Sequence, residues 1–173
     1  MANKQQRFDI KQALIDSAQS YSLLLDNEVI VKSEDFVNCD CYKLRFFETN
    51  FLHLTGLKTT LSAKDFYHKC FAGTVLESDY SLGVNCDRKT VKRKLKNLVN
   101  IGQFFKQEVM VQEAFVKNQV ICKIGTSDEK CTIGFADAKY YLRPKTILAN
   151  NHLDLDKPIQ KVLPIIQKVE KDK

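Results

Sequence analysis

The sequence lacks most features of specialised protein classes. Three prolines and six glycines among 173 residues exclude a collagen-like or low-complexity chain. No apolar run approaches the length of a membrane-spanning helix, so we expect no membrane partner. The charged N-terminus is not followed by an apolar stretch, which predicts a cytoplasmic protein without a secretory signal. The length predicts one domain over residues 1–173.

The familiar catalytic and metal-binding motifs are also absent. The chain has no Gly-x-x-x-x-Gly-Lys, Gly-x-Gly-x-x-Gly, His-Glu-x-x-His or Gly-x-Ser-x-Gly motif. This excludes most nucleotide-dependent enzymes, zinc proteases and α/β-hydrolases. Among the six cysteines, Cys39-x-Cys41 is too tightly spaced for a zinc knuckle. We therefore expect free thiols, no metal and no cofactor.

The positive charge is concentrated in one segment. There are 27 basic and 21 acidic residues, and residues 88–96 hold six of the basic residues and none of the acidic ones. Asp87 is a good N-cap for a helix over 88–103 that buries Val91 and Leu95. Its other side could bind phosphates, although a solvated charged face is the alternative. The predicted nucleic-acid-binding residues are Arg88, Lys89, Lys92, Arg93 and Lys96.

Hydrophobic periodicity predicts an α+β fold, with helices and a hairpin first and an antiparallel meander of about four strands after them. Because Pro164 would break a helix, the last segment is predicted to be an edge strand. The N-terminal helix falls within 1–26, the basic helix within 87–103 and the meander within 108–169. Other predicted elements are a hairpin of strands 28–32 and 36–47, and helices over 51–55 and 62–73.

One histidine stands out among three. His53 lies in a short apolar helical turn that follows a strand. An imidazole there could act as a general acid or base because it titrates near neutral pH, or it could be a structural residue at the edge of the core. His68 is predicted to be a solvated surface residue, and His152 lies in a loop.

A second group of polar residues lies in segment 139–146, Lys-Tyr-Tyr-Leu-Arg-Pro-Lys-Thr, which we place at the end of a strand. Pro144 favours extended geometry at Arg143, so that Arg143 and Lys145 point to roughly the same side. A guanidinium and an ammonium group arranged in this way can hold a phosphate. A solvated loop with its tyrosines packed on the sheet is the alternative.

Several segments, in their order, resemble the phage-associated branch of the barnase–EndoU–colicin–RelE-like nucleases. These are Lys43-Leu-Arg-Phe-Phe, Asn50-Phe-Leu-His-Leu-Thr-Gly-Leu57, a helix with Phe66-Tyr67, and Tyr140-Tyr-Leu-Arg-Pro-Lys-Thr146. The match runs from about residue 21 to residue 169, with an inserted Leu142-Arg143 before Pro144 as a departure. The resemblance implies helices packed on an antiparallel meander, and metal-independent RNA cleavage in toxin, phage or mobile-element settings.

The main hypothesis is therefore an endoribonuclease that uses the RNA 2′-hydroxyl as its nucleophile. His53 would be the acid or base, Arg143 and Lys145 would stabilise the phosphorane, and Arg45 would be a reserve cation. Thr146 or Tyr141 could donate a hydrogen bond. The alternatives are a non-catalytic nucleic-acid-binding module, and a protein-interaction module that binds an antitoxin-like partner. The enzyme hypothesis requires His53 to share a cleft with Arg143 and Lys145.

Overall fold

A curled eight-stranded sheet organises the computed structural model, which describes residues 7–169. The predicted boundaries at residues 1 and 173 lie outside the described residues. The helices are α1 Ile10–Ser22, α2 Glu48–Thr55, α3 Ala63–Ala72, α4 Arg88–Leu98 and α5 Ile101–Phe104. The strands are β1 Asn27–Lys32, β2 Cys41–Arg45, β3 Leu57–Thr59, β4 Tyr80–Leu82, β5 Val109–Glu113, β6 Val116–Lys117, β7 Val120–Ile121, β8 Ile124–Ser127, β9 Cys131–Asp137, β10 Leu142–Ala149, β11 Gln160–Val162 and β12 Ile165–Lys168.

The strand order is β11-β5-β8-β9-β10-β2-β1-β12. Every neighbouring pair is antiparallel except β10 and β2. The two edge strands, β11 and β12, are separated in the chain only by Leu163 and Pro164. The opposite edges of the sheet must therefore meet at this point, which is why the sheet curls. Pro164 has no N–H to donate, so the segment changes its pairing partner there.

The α+β class is confirmed, but the prediction of about four strands is wrong. The N-terminal hairpin joins the same sheet through β10 and β2, and the C-terminal segment supplies both edges. These pairings link segments that are far apart in the chain. Local periodicity does not report such pairings.

Three local boundaries also differ from the prediction. The second hairpin strand begins at Cys41 rather than residue 36, because the Val37 and Asn38 amides donate to the Glu113 carboxylate at 2.7 and 3.0 Å. The basic helix ends at Leu98, and the non-helical Asn100 separates it from α5. Residues 142–149 form a strand paired on both sides at its start, rather than the end of a strand.

The main core lies between one face of the sheet and the helices. Tyr21 of α1, Leu95 of α4 and Phe135 of β9 are buried in it. The Tyr21 hydroxyl donates to the Phe47 carbonyl at 2.7 Å, which ties α1 to the segment between β2 and α2. A smaller core of Phe115, Cys122 and Leu153 covers part of the other face. None of the helices within residues 7–169 is long and apolar enough to cross a membrane.

Candidate active site

The candidate site forms where β10 stops pairing with β2. β10 pairs with β9 along its length, but with β2 only where Leu142 faces Leu44. Beyond that pair, α2 and α4 lie along the exposed edge of β10. The Lys94 ammonium of α4 donates to the Ile147 carbonyl at 3.1 Å, and His53 of α2 is within hydrogen-bonding reach of the Lys145 backbone. Lys94 therefore supplies a donor that the missing strand would have supplied, and His53 lies beside the same edge.

Two local signals place His53 at this edge. The Asn50 side chain accepts a hydrogen bond from the Phe47 amide at 3.2 Å, which starts α2 directly after β2. Gly56 ends α2 in the left-handed conformation, at φ 75°. A Cβ on Gly56 would lie 2.8 Å from the Cys86 sulfur and 3.2 Å from Cδ of Lys94. The glycine therefore lets α4 pack close enough to bring Lys94 to the end of α2.

The surroundings of His53 favour the neutral form of its imidazole. Its pKa is lowered from 6.5, first by desolvation and then by the charge of Lys94. The charges of Arg143 and Lys145 lower the pKa further, while the hydrogen bond with the Lys145 backbone opposes them. The side chain nevertheless keeps access to solvent. A neutral imidazole has one ring nitrogen that can accept a proton.

Lys94 is a site residue that sequence reasoning missed. It belongs to the basic run, whose other members are exposed, whereas Lys94 lies on the flank of the buried stripe between Val91 and Leu95. Desolvation lowers its pKa. The only sequence signal is its spacing of three residues from Val91, which turns it toward the neighbouring elements rather than outward.

The two cations of the 139–146 segment lie on either side of an irregularity in β10. Pro144 pairs with Phe135 and Thr146 with Gly134, so Lys145 is the extra residue of a β-bulge. Arg143 is exposed on the face opposite the buried Leu142. The ammonium of Lys145 donates to the Ile121 carbonyl at 3.1 Å. Both residues are close enough to His53 for their charges to lower its pKa. The shared cleft that the enzyme hypothesis requires stays a prediction.

Thr146 sits over a glycine. A Cβ added to Gly134 would approach Cγ2 of Thr146 to 3.0 Å and the Cys122 sulfur to 2.6 Å. The close packing therefore fixes the position of Thr146, which is half-buried.

Arg45 and Tyr141 come together on the same sheet face as Arg143. The Arg45 guanidinium lies 4.9 Å from the ring centre of Phe47 and 5.6 Å from that of Tyr141. The two rings are 5.2 Å apart. Within residues 7–169 no acidic side chain forms an ion pair with Arg45, Arg143 or Lys145. Their positive charge is therefore available to an anion from solution.

A family model decides the class of the protein. The model described as phage-Barnase-EndoU-ColicinE5/D-RelE like nuclease 4 matches residues 13–173. The chain belongs to this nuclease family. The match includes His53, the 139–146 segment and the basic helix, and it confirms the resemblance seen in the sequence. Among curated proteins and among solved structures, nothing matches the chain.

The five predicted nucleic-acid-binding residues of the nuclease divide into two groups. Arg88 donates to the Phe8 carbonyl at 3.3 Å, and the Lys92 ammonium lies 5.8 Å from the Phe8 ring centre. The other three project outward from α4, and within the described part of the chain none of them forms an ion pair. These three are Lys89, Arg93 and Lys96.

The other two histidines of the nuclease have structural partners. His68 is exposed, as predicted, and its Nε2 lies 2.7 Å from the Glu48 carboxylate. The ring of His152 binds the Ala149 carbonyl at 2.7 Å. Between residues 7 and 169, no three His, Cys, Asp or Glu side chains converge as a metal site would require.

Proposed function

We propose that this nuclease is a metal-independent endoribonuclease that cleaves RNA through the 2′-hydroxyl. In this reaction the 2′-oxygen bonds to the adjacent phosphorus, its proton passes to a base, and the P–O5′ bond breaks as the 5′-oxygen takes up a proton. The products are a 2′,3′-cyclic phosphate and a free 5′-hydroxyl. The observation that carries the proposal is a solvent-accessible His53 close to Arg143 and Lys145, which form no ion pair with an acidic side chain within residues 7–169.

His53 would act as the general base. Its lowered pKa favours the unprotonated ring at neutral pH, and the side chain is accessible to solvent. Such a base typically contributes about 10²–10⁴-fold to the rate. After proton transfer, the imidazolium would be destabilised by the nearby charge of Lys94. That repulsion would favour return of the proton to the leaving oxygen.

The cations would bind the reacting phosphate. Arg143 and Lys145 both act on His53 electrostatically, so a phosphate within reach of the ring would also be within reach of their charges. Positive groups fixed in advance stabilise the extra negative charge of a phosphorane. Arg45 lies against the adjacent rings of Phe47 and Tyr141, and could hold a second non-bridging oxygen or the next phosphate. The outward lysines and arginine of α4 would bind flanking phosphates.

A second candidate function is supported by the edge of β10. Lys94 binds a backbone carbonyl there, and His53 lies near the Lys145 backbone, so His53 could have a structural role that needs no chemistry. A protein that kept this edge and the exposed cations of α4 could bind RNA without cleaving it. This function predicts complex formation with a steep salt dependence and no product.

Incubation of the pure protein with labelled RNA in excess EDTA separates the two functions. We expect cleavage of RNA but not of matched DNA, with 2′,3′-cyclic ends. His53→Gln should lose about 10²–10⁴-fold in rate, while its amide can still donate to the Lys145 backbone and preserve the fold. His68→Gln is the matched control and should stay within about two-fold of the wild type. A folded His53→Gln variant with full activity would refute the assignment, and bound but intact RNA would favour the second function.

A further inference from the structure

A groove beside the candidate site is lined by a strongly exposed aromatic side chain. Tyr140, in the turn between β9 and β10, is 79% exposed. It lines a groove of about 370 Å³ together with Tyr141, Lys43, Lys123 and Lys139. The ring is therefore available for stacking.

The charge of the groove indicates the kind of partner. Three lysines line it against a single acidic residue, Asp137, which is itself 3.9 Å from the Lys123 ammonium. The Lys139 ammonium lies 5.3 Å from the centre of the Tyr140 ring. Lysines around an exposed ring are the combination used to bind single-stranded nucleic acid, in which a base stacks while the phosphates are neutralised.

The groove is continuous with the candidate site. Tyr141 lines the groove and also contacts Arg45 and Phe47. Tyr140 is three residues from Arg143, so their Cα atoms are at most about 11 Å apart. A nucleotide chain whose phosphate lies at Arg143 could thus place a neighbouring base on the Tyr140 ring.

We infer that Tyr140 stacks on an unpaired base next to the bound phosphate, so that the groove selects single-stranded RNA over duplex. This inference rests on the proposed function for the identity of the nucleic acid, but it concerns binding rather than cleavage. In a duplex, each base is stacked within the helix and its flat face is not available to a side chain. Tyr140 would therefore contribute to binding of the single strand alone.

Binding of a fully 2′-O-methylated RNA tests the inference, because this RNA has no free 2′-hydroxyl and cannot be cleaved by that route. Fluorescence anisotropy would compare a labelled single strand with a hairpin duplex of the same composition, at one salt concentration. For Tyr140→Ala we expect roughly 5- to 150-fold weaker binding of the single strand, the range of one base–aromatic stack, and no change for the duplex. Tyr140→Phe should bind like the wild type, since the ring is kept.

Controls separate stacking from other effects. Phe71→Ala, which removes a half-exposed ring on α3, should leave binding unchanged, and thermal melting would show that Tyr140→Ala is folded. Equal losses for single strand and duplex, no loss at all, or no binding of single strands by the wild type would each overturn the inference. Failure of the proposed cleavage would appear separately, as unmodified RNA that is bound with this same Tyr140 dependence but stays intact.

Discussion

Lys94→Met isolates the electrostatic control of His53. Among the charges near His53, the ammonium of Lys94 lowers the pKa of His53 most, and only desolvation has a larger effect. Methionine keeps an unbranched side chain of similar length without the charge. The pKa of His53 should therefore rise in this variant. In the proposed mechanism, the acidic limb of the kcat/KM profile should move to higher pH with it, since that limb reports the free enzyme's base.

The same substitution has a cost in stability. It removes the donor that binds the Ile147 carbonyl at 3.1 Å, and leaving a buried acceptor without a partner costs about 1–3 kcal/mol. For a chain of this size, that corresponds to a fall in Tm of about 2–12 °C. If water reaches the edge of β10 and donates to the Ile147 carbonyl, the destabilisation should lie near the lower end of this range.

NMR titration of the histidine ring protons measures the pKa directly, and His53→Gln assigns the resonance among the three histidines. Lys96→Met is the matched control, because Lys96 lies on the same helix but is exposed. It should leave the pKa of His53 unchanged. If Lys94→Met left that pKa unchanged or lowered it, the electrostatic account of the site would be wrong.

Three further predictions concern pH, backbone strain and salt. Because the folded pKa of His53 lies below 6.5, the rate of RNA cleavage should stay constant from neutral pH to below 6.5 and fall only as the pH passes through that lowered pKa. The unfolded chain binds the proton at higher pH than the folded chain, so the free energy of unfolding should also decrease as the pH falls below 6.5. Gly56→Ala should destabilise the protein in urea more than Gly73→Ala, because both glycines have φ 75° but only Gly56 has neighbours within 4 Å of an added Cβ; equal effects would show that strain alone matters. Lys89, Arg93 and Lys96 form the outward face of α4. In RNA-binding titrations, neutralising them should reduce the slope of log affinity against log salt concentration by nearly one unit for each phosphate that is no longer bound. An unchanged slope would show that these residues are not part of the interface.

Local signals in the sequence predicted the elements that depend on neighbouring residues. Asp9, Ser62 and Asp87 each accept a hydrogen bond from a backbone amide three residues on, so the helices that they start are encoded within a few residues. The sheet could not be predicted in this way. The pairing of β2 with β10 joins residues more than 90 positions apart in the chain. The positions of β11 and β12 at the edges of the sheet also depend on which strands pair.

The residues of the candidate site likewise differ in whether local sequence predicts them. His53, Arg143 and Lys145 could be selected from the sequence because an imidazole in an apolar turn and two cations around a proline are unusual patterns. Lys94 could not, since its sequence neighbours are also basic and only the packing of α4 against β10 turns it inward. The bulge at Lys145 was likewise hidden, because it depends on the register in which β10 pairs with β9.

The early end of β2 explains why a structural edge and a reactive histidine coincide. A strand that continued beside β10 would satisfy its backbone groups and would cover the position that His53 now occupies. Once β2 stops, buried backbone acceptors need donors from side chains, and a donor that can also release a proton is an imidazole or an ammonium. Lys94 takes the more buried position, whereas His53 takes the position with access to solvent. An amide at position 53 can fill the first role but not the second. His53→Gln should therefore keep the melting temperature within about 4 °C, the shift for roughly 1 kcal/mol, while the cleavage rate falls by about 10²–10⁴-fold. A loss of stability and cleavage together would mean that the histidine is structural.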